Sequence, residues 1–270
     1  MNIRAIAFDL DDTLLRDDRT LSPGSIRVLR EAASRGIHVI PASGRARDSM
    51  RPFVDELGCA SCYIACNGGE VWSPSHELVR RFAFPDETAQ EIIAFVRAHH
   101  SYAQTYHGAH FYYIEESEWA PRYAVSSMLT GFYTPDLEGF VREHPTSKIL
   151  LMDEEGRVAR MLEEARAQFA GRASVTCSKP YFLEFNPTEA TKGNGLRFCA
   201  EWLGFPLSAA MAFGDSLNDM SMLEAAGCGV AVANAREDVR SRVRHVCGTN
   251  EEDGPARFIA LHALGEEYPR

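Results

Sequence analysis

Residues 7–15, AFDLDDTLL, carry an apolar run straight into three aspartates, Asp9, Asp11 and Asp12. Carboxylates this close repel one another, and burying them is costly unless a cation or hydrogen-bond donors offset the charge. The residues leading in, IRAIAF at 3–8, read as a strand. Asp9 and Asp11 stand at i and i+2, so an extended chain turns both toward one ligand. A hard dication such as Mg²⁺ takes oxygen ligands and would relieve the repulsion. A solvated acidic loop would leave the same trace, because a bare D-x-D is common. The rest of the chain has to decide between them.

Outward from that strand the elements alternate. Ser22 followed by Pro23 reads as a helix start, with Ile26, Leu29 and Ala33 on one face and Gly36 at the end. IHVIPA (37–42) is the next strand. Met50, Phe53, Val54 and Leu57 then mark an amphipathic helix stopped by Gly58. CYIAC (62–66) reads as a third strand running into NGG. Strand, helix, strand, helix, strand with short links is the pattern of a parallel sheet covered by helices. The pattern changes near Phe84. A helix from Pro85 and Asp86 carries Ile92, Ile93, Phe95 and Val96, and two hairpins follow, YAQTYH with HFYYIE and ASVTC with YFLEF. Between the hairpins lie the strand SKILLMD and a helix over 155–170. Alternation resumes with a helix from Lys192 to Leu203 ended by Gly204, the strand AAMAF, a helix over 219–226, the strand GCGVAV and a short helix around Val239. The expectation is an α/β, Rossmann-like parallel-sheet core, residues 1–83 and 187–270, interrupted by an inserted α+β domain over 84–186.

The bulk numbers narrow the function. The chain has 270 residues, 45% of them apolar and 24% charged, with a net charge of -10. That composition is globular, and that charge disfavours nucleic acid or an anionic membrane as partner. No apolar run reaches the length of a membrane span, and Asp9, Asp11 and Asp12 break any secretory segment at once. A cytoplasmic protein with reduced thiols, a monomer or small homo-oligomer, is the expectation. The seven cysteines are scattered. Cys59 and Cys62 form a C-x-x-C with Cys66 beyond, but no second pair follows at zinc spacing, so they read as small buried apolar residues.

Four stretches end or follow core strands, at the sheet edge where open α/β folds bind ligands. The acidic run is the first. PASGR places Ser43 and Gly44 ahead of a helix near Ala46, a natural anion site that is also an ordinary N-cap. Lys192 opens a helix, where a cation is better explained if an anion sits nearby. GDSLND sets Asp215, Asn218 and Asp219 at a strand-to-helix turn, and Asp215 can complete an oxygen cage with Asp9 and Asp11. Each reading is weak alone; a carboxylate pair, a hydroxyl, a lysine and a second acidic pair at one edge are not.

In that order DLDDTLL, ASGR, ATKG and GDSLND resemble the four motifs of the haloacid dehalogenase superfamily. CNGG, YFLEFNP, GVAVANA and TNEEDGPARFI echo its Cof-type class IIB branch, which carries a C2-type (C2b) cap. The resemblance implies a Mg²⁺-dependent phosphatase acting on a small phosphorylated metabolite such as a sugar phosphate, nucleotide or phosphorylated cofactor. It makes Asp9 the nucleophile and Asp11 the general acid and base. Ser43, Gly44 and Lys192 would hold the phosphoryl group. Asp9, the Asp11 carbonyl and Asp215 would bind the metal, supported by Asn218 and Asp219. Asp12 replaces a common glycine, a turn position that aspartate tolerates, and Ser43 replaces a common threonine.

Arg45, Asn67, Arg122, Lys179 and Tyr181 are candidates for substrate contact, although an ion pair is the plainer use of Arg45. The aromatic hairpin is expected to pack the inserted domain's own core. His99, His100, His107 and His110 lack the acid or cysteine a zinc site would need. Two other readings stay open: a phosphomutase, which shares the acid pair, and a phospho-accepting signalling domain, which also gathers acids at strand ends but would leave the insertion unexplained.

Overall fold

The computed structural model describes residues 2–268. The chain opens with β1 (Ala5–Phe8), α1 (Pro23–Ser34), β2 (His38–Pro41), α2 (Arg47–Leu57), β3 (Tyr63–Ala65), β4 (Glu70–Trp72) and β5 (Leu78–Arg81). Ser22 caps α1 as its sequence suggests, its side chain accepting the Ser25 N–H with Pro23 in the first turn. The middle of the chain runs α3 (Asp86–Ala98), β6 (Tyr102–His107), β7 (His110–Tyr113), α4 (Trp119–Ser127), β8 (Thr130–Tyr133), α5 (Leu137–Glu143), β9 (Ile149–Met152), α6 (Glu155–Gln168), β10 (Ala173–Thr176) and β11 (Phe182–Pro187). It closes with α7 (Lys192–Leu203), β12 (Ala210–Gly214), α8 (Met220–Ala225), β13 (Cys228–Ala231), α9 (Glu237–Arg240), β14 (His245–Val246) and α10 (Gly254–Ile259).

The chain divides into two compact units, Met1–Gly44 with Met50–Arg80 and Thr191–Arg270, and Arg45–Ser49 with Arg81–Ala190. The first is built on a five-stranded parallel sheet of order β14-β13-β12-β1-β2. Its central strands are apolar throughout because helices cover both faces; every residue of β1 and of β12 is buried. Register then decides what gathers at the edge. Phe8 lies opposite both Phe213 and Pro41, so Asp9 and Asp215, one residue past their strands, and Ser43, two past β2, emerge at one edge of the sheet.

The second unit carries a six-stranded sheet of order β10-β11-β9-β6-β7-β8. It is antiparallel except where β8 pairs in parallel with β7. Ile92, Ile93 and Val96 of α3 pack with Val158, Phe169, Leu183 and Phe185 to form its core. In the aromatic hairpin Tyr102, Phe111 and Tyr113 are buried. Its partly exposed Tyr106 hands a hydrogen bond to the Tyr123 hydroxyl at 2.7 Å. The His107 ring lies 4.1 Å from that of His144, and His99 bonds the Phe95 carbonyl and Glu164.

Three differences from the sequence reading have plain causes. CYIAC is not a full strand of the parallel sheet. It shares one bridge with β2, Ala42 to Ile64, and then pairs antiparallel with β4, because Cys66 and Asn67 turn the chain in the left-handed region. The elements β4, β5, β8, α4, α5, β14 and α10 were not read; β14 spans two residues and α10 six, too short for a period to show. Cys59 is half-buried rather than buried. Cys62 and Cys66 are buried, and the Cys62 thiol donates to the Cys199 sulfur at 3.3 Å. That hydrogen bond and burial hold the Cys62 thiol well above its usual range, in the protonated form that ligates metals poorly.

Candidate active site

Lys192 is the centre of the site. It is the first residue of α7, whose N-cap Thr191 accepts the Asn194 N–H on its side chain. Its side chain is wholly inaccessible, and its ammonium donates to Asp9 Oδ1 and to Asp219 Oδ1, each at 2.6 Å. Burial alone would push the lysine toward its neutral form. The charges and hydrogen bonds of Asp219 and Asp9 outweigh it and hold the ammonium above the ordinary lysine range.

Asp9, Asp215 and Asp219 each bring a carboxylate oxygen within 4.8 Å of the others. Asp9 is anchored through its N–H to the Phe213 carbonyl at 3.1 Å. Its carboxyl is raised well above the usual range, first by burial and then by Asp219, Asp215 and Asp11, with only Lys192 opposing. Asp215 is pushed up to about 6, chiefly by burial and the charge of Asp219, despite hydrogen bonds from Ser216 and Thr13.

The three acids are not equivalent. Asp219 accepts Lys192 on one oxygen and the Asp215 and Ser216 N–H groups on the other, both at 3.0 Å. Its acceptor capacity is spent holding the lysine and the loop. One ammonium among three carboxylates leaves a buried excess of negative charge, and the donor set is oxygen only. That chemistry fits a hard dication on Asp9 and Asp215.

The other residues read from sequence fall into two places. Ser43 is buried, its N–H bonded to the Ile64 carbonyl at 2.8 Å, and its carbonyl accepts the Asn67 N–H at 3.0 Å. Asn218 donates from Nδ2 to Asn67 Oδ1 at 3.0 Å. The Asp11 carboxyl is half-buried, stands outside the three-acid cluster and acts on Asp9 through like charge. Asp12 is left-handed at φ 57, the turn its position called for. Arg45, Arg122, Lys179 and Tyr181 belong to the second unit. There Arg122 lies 4.7 Å over the Trp119 ring and 5.9 Å over Tyr181, and Lys179 lies 5.2 Å over Phe182.

Sequence reasoning passed over Thr13, Ser216, Ser221 and Trp119. The buried Thr13 hydroxyl donates to Asp215 Oδ1 at 2.9 Å, and Ser216 donates to Asp215 Oδ2 at 2.6 Å. Ser221 Oγ accepts the Gly193 N–H at 3.0 Å, tying α8 to the start of α7. Thr13 sits in the opening stretch itself, and a hydroxyl among acids was the available signal.

Residues 6–259 match the family model described as haloacid dehalogenase-like hydrolase. Over 260 residues, 96% of this chain and 95% of the relative, it is 31% identical to the 5-amino-6-(5-phospho-D-ribitylamino)uracil phosphatase of Bacillus subtilis. Pyridoxal phosphate phosphatase of Escherichia coli is 28% identical, with 98% of this chain and all of that protein covered. A haloacid dehalogenase-like hydrolase of Bacteroides thetaiotaomicron superposes with a TM-score of 0.85 at 29% identity, covering 95% of this chain and 98% of its own. The chain therefore belongs to the haloacid dehalogenase-like hydrolases, among members of that family named as phosphatases.

Proposed function

We propose that the protein is a Mg²⁺-dependent phosphomonoesterase acting on a small phosphorylated metabolite through an aspartyl-phosphate intermediate. In this reading residues 1–83 and 187–270 are the catalytic core and 84–186 an inserted cap. The observation that carries the reading is the buried ammonium of Lys192 held between Asp9 and Asp219 with Asp215 beside them. A structural ion pair has no use for the surplus carboxylates. A site for a dication does, and a bound dication would in turn draw a dianionic phosphoryl group.

A carboxylate oxygen of Asp9 attacks phosphorus while the bond to the substrate oxygen breaks, and Asp11 gives its proton to the departing alkoxide. Water then attacks the same phosphorus, Asp11 takes a water proton, and the Asp9 carboxylate leaves as inorganic phosphate forms. Lys192 and the Ser43 hydroxyl hold the phosphoryl oxygens and offset charge in the transition state. Bound at Asp9 and Asp215, the metal would supply Lewis-acid charge neutralisation. Asp219 keeps Lys192 in place, and Thr13 and Ser216 orient Asp215.

Purified protein with Mg²⁺ is expected to release inorganic phosphate from p-nitrophenyl phosphate and to stop doing so in EDTA. A panel holding the two phosphorylated compounds named for the relatives, with sugar phosphates and nucleotides, ranks the physiological candidates by kcat/KM. Isomerisation of a sugar phosphate without phosphate release would favour a mutase.

Asp215 also sets a pH dependence. Its carboxyl is raised to about 6 in the fold, so its contribution to metal-free stability is full at low pH and lost as pH rises through about 6. A metal must displace that proton. The rise in Tm caused by Mg²⁺ is therefore expected to be small at pH 5 and to grow as pH rises through about 6, with the raised Asp9 carboxyl extending the growth to higher pH. A shift equal at pH 5 and pH 8 would contradict this assignment.

A further inference from the structure

We infer that the turn Cys66–Gly68 is a clamp that sets the spacing of three catalytic loops, with Asn67 as its positioning residue; the inference rests on the phosphatase reading of those loops. The turn is unusual. Cys66, Asn67 and Gly68 have φ of 52°, 56° and 102°, three consecutive residues in the left-handed region. Two of them carry side chains, for which that conformation is strained, and strain of this kind persists only where surrounding contacts impose it.

Those contacts reach all three loops. The Asn67 N–H binds the Ser43 carbonyl at 3.0 Å, fixing the loop after β2 from behind. The amide packs against Gly44, where a Cβ would come within 2.9 Å of Oδ1. The same Oδ1 accepts the Asn218 amide at 3.0 Å, joining the loop after β12. On its other side the turn meets the start of α7: a Cβ on Gly68 would lie 2.1 Å from the Thr191 carbonyl oxygen, one residue before Lys192. Loops at residues 43–44, 191–192 and 218 are thus spaced by three residues whose own strand shares only the single bridge Ala42 to Ile64 with β2.

Asparagine suits both demands, since it tolerates the left-handed region and offers a neutral acceptor. An aspartate would add charge near an already acidic site. The bond to Asn218 makes Asn67 a residue that acts through its neighbours.

The test uses Asn67→Gly, which keeps the left-handed turn and removes only the amide, with Asn218→Ala and the double variant, all assayed with Mg²⁺ and p-nitrophenyl phosphate. Misplacement on the ångström scale costs about a hundredfold, so Asn67→Gly is expected to lose about that factor in kcat with KM moving less than about threefold. The double variant is expected to be no worse than the poorer single, because the two side chains act as one unit. Asn67→Ala should lose the same factor in kcat and have a lower Tm, because alanine is strained in the left-handed turn; Asn218→Ala, which leaves that turn untouched and is expected to lose kcat with little change in KM, serves where the Asn67 variants do not fold. Unchanged kcat in the Asn67 variants, a loss confined to KM, or losses that multiply in the double variant would overturn the inference. Wild-type protein that releases no phosphate from any compound would instead remove the phosphatase reading, and this inference with it.

Discussion

Asp9→Asn is expected to abolish phosphate release without destabilising the metal-free protein. Losing the proposed nucleophile should lower kcat by about 10⁴-fold or more, the scale on which removal of a single nucleophile silences an enzyme. Stability should move the other way. Burial and three neighbouring acids hold the Asp9 carboxyl well above its ordinary range, so the fold opposes the charge that catalysis needs. A neutral amide of the same shape relieves that opposition while still accepting from Lys192. Thermal unfolding in EDTA should show Tm at or above the wild-type value, and the Mg²⁺-induced rise in Tm should shrink. Residual turnover near the wild-type rate would exclude Asp9 as nucleophile. A large fall in metal-free Tm would show that its charge is structural.

Lys192→Met is the counterpart, with losses on both counts. The ammonium is fully buried and pairs with Asp9 and Asp219 at 2.6 Å. Removing one partner of a buried pair leaves uncompensated charge and costs about 3–5 kcal/mol. For a chain of this size that is a fall of roughly 10 °C in Tm. Because methionine fills much of the lysine volume, the deficit is electrostatic, and Mg²⁺ or a lower pH should recover part of it. Phosphate release should fall sharply even in the folded fraction, since in the proposed reading the phosphoryl oxygens would lose their cation. A variant as stable as wild type at pH 8 in EDTA would contradict the charge balance drawn for the site.

The two substitutions share one origin. The site holds more negative charge than the fold can comfortably bury, a surplus that the proposed dication would offset. In the proposed reading function lowers local stability, and neutralising Asp9 or Asp215 would separate the two in opposite directions.

Much of the scaffold was legible because its signals are local. The Ser22–Pro23 start, the apolar spacing of α3 and the continuous apolar runs of β1 and β12 each depend on residues within a turn or two. The principal acids and Lys192 were legible as residue types at strand ends. The distinction among them was not. Asp219 looked like a supporting ligand and is occupied by Lys192 and two backbone N–H groups. Asn67 looked like a substrate contact and is bonded to Asn218. Hydrogen-bond saturation depends on which donors arrive from elsewhere, and periodicity carries no record of that. Trp119 escaped notice because Tyr181, the ring it stacks on, comes from a segment far away in sequence.

By itself, then, the sequence determined the alternation of elements, the acidic and hydroxyl residues available to the site and the places where the chain must turn. Those are matters of local propensity and side-chain chemistry. Tertiary structure alone decided that Phe8 pairs with both Phe213 and Pro41, and so that Asp9, Asp215 and Ser43 share an edge. It also decided that Lys192 is buried between two carboxylates and that a strained turn spaces the loops around them. Charge balance and loop spacing are properties of atoms brought together from opposite ends of the chain, and only the folded packing sets them.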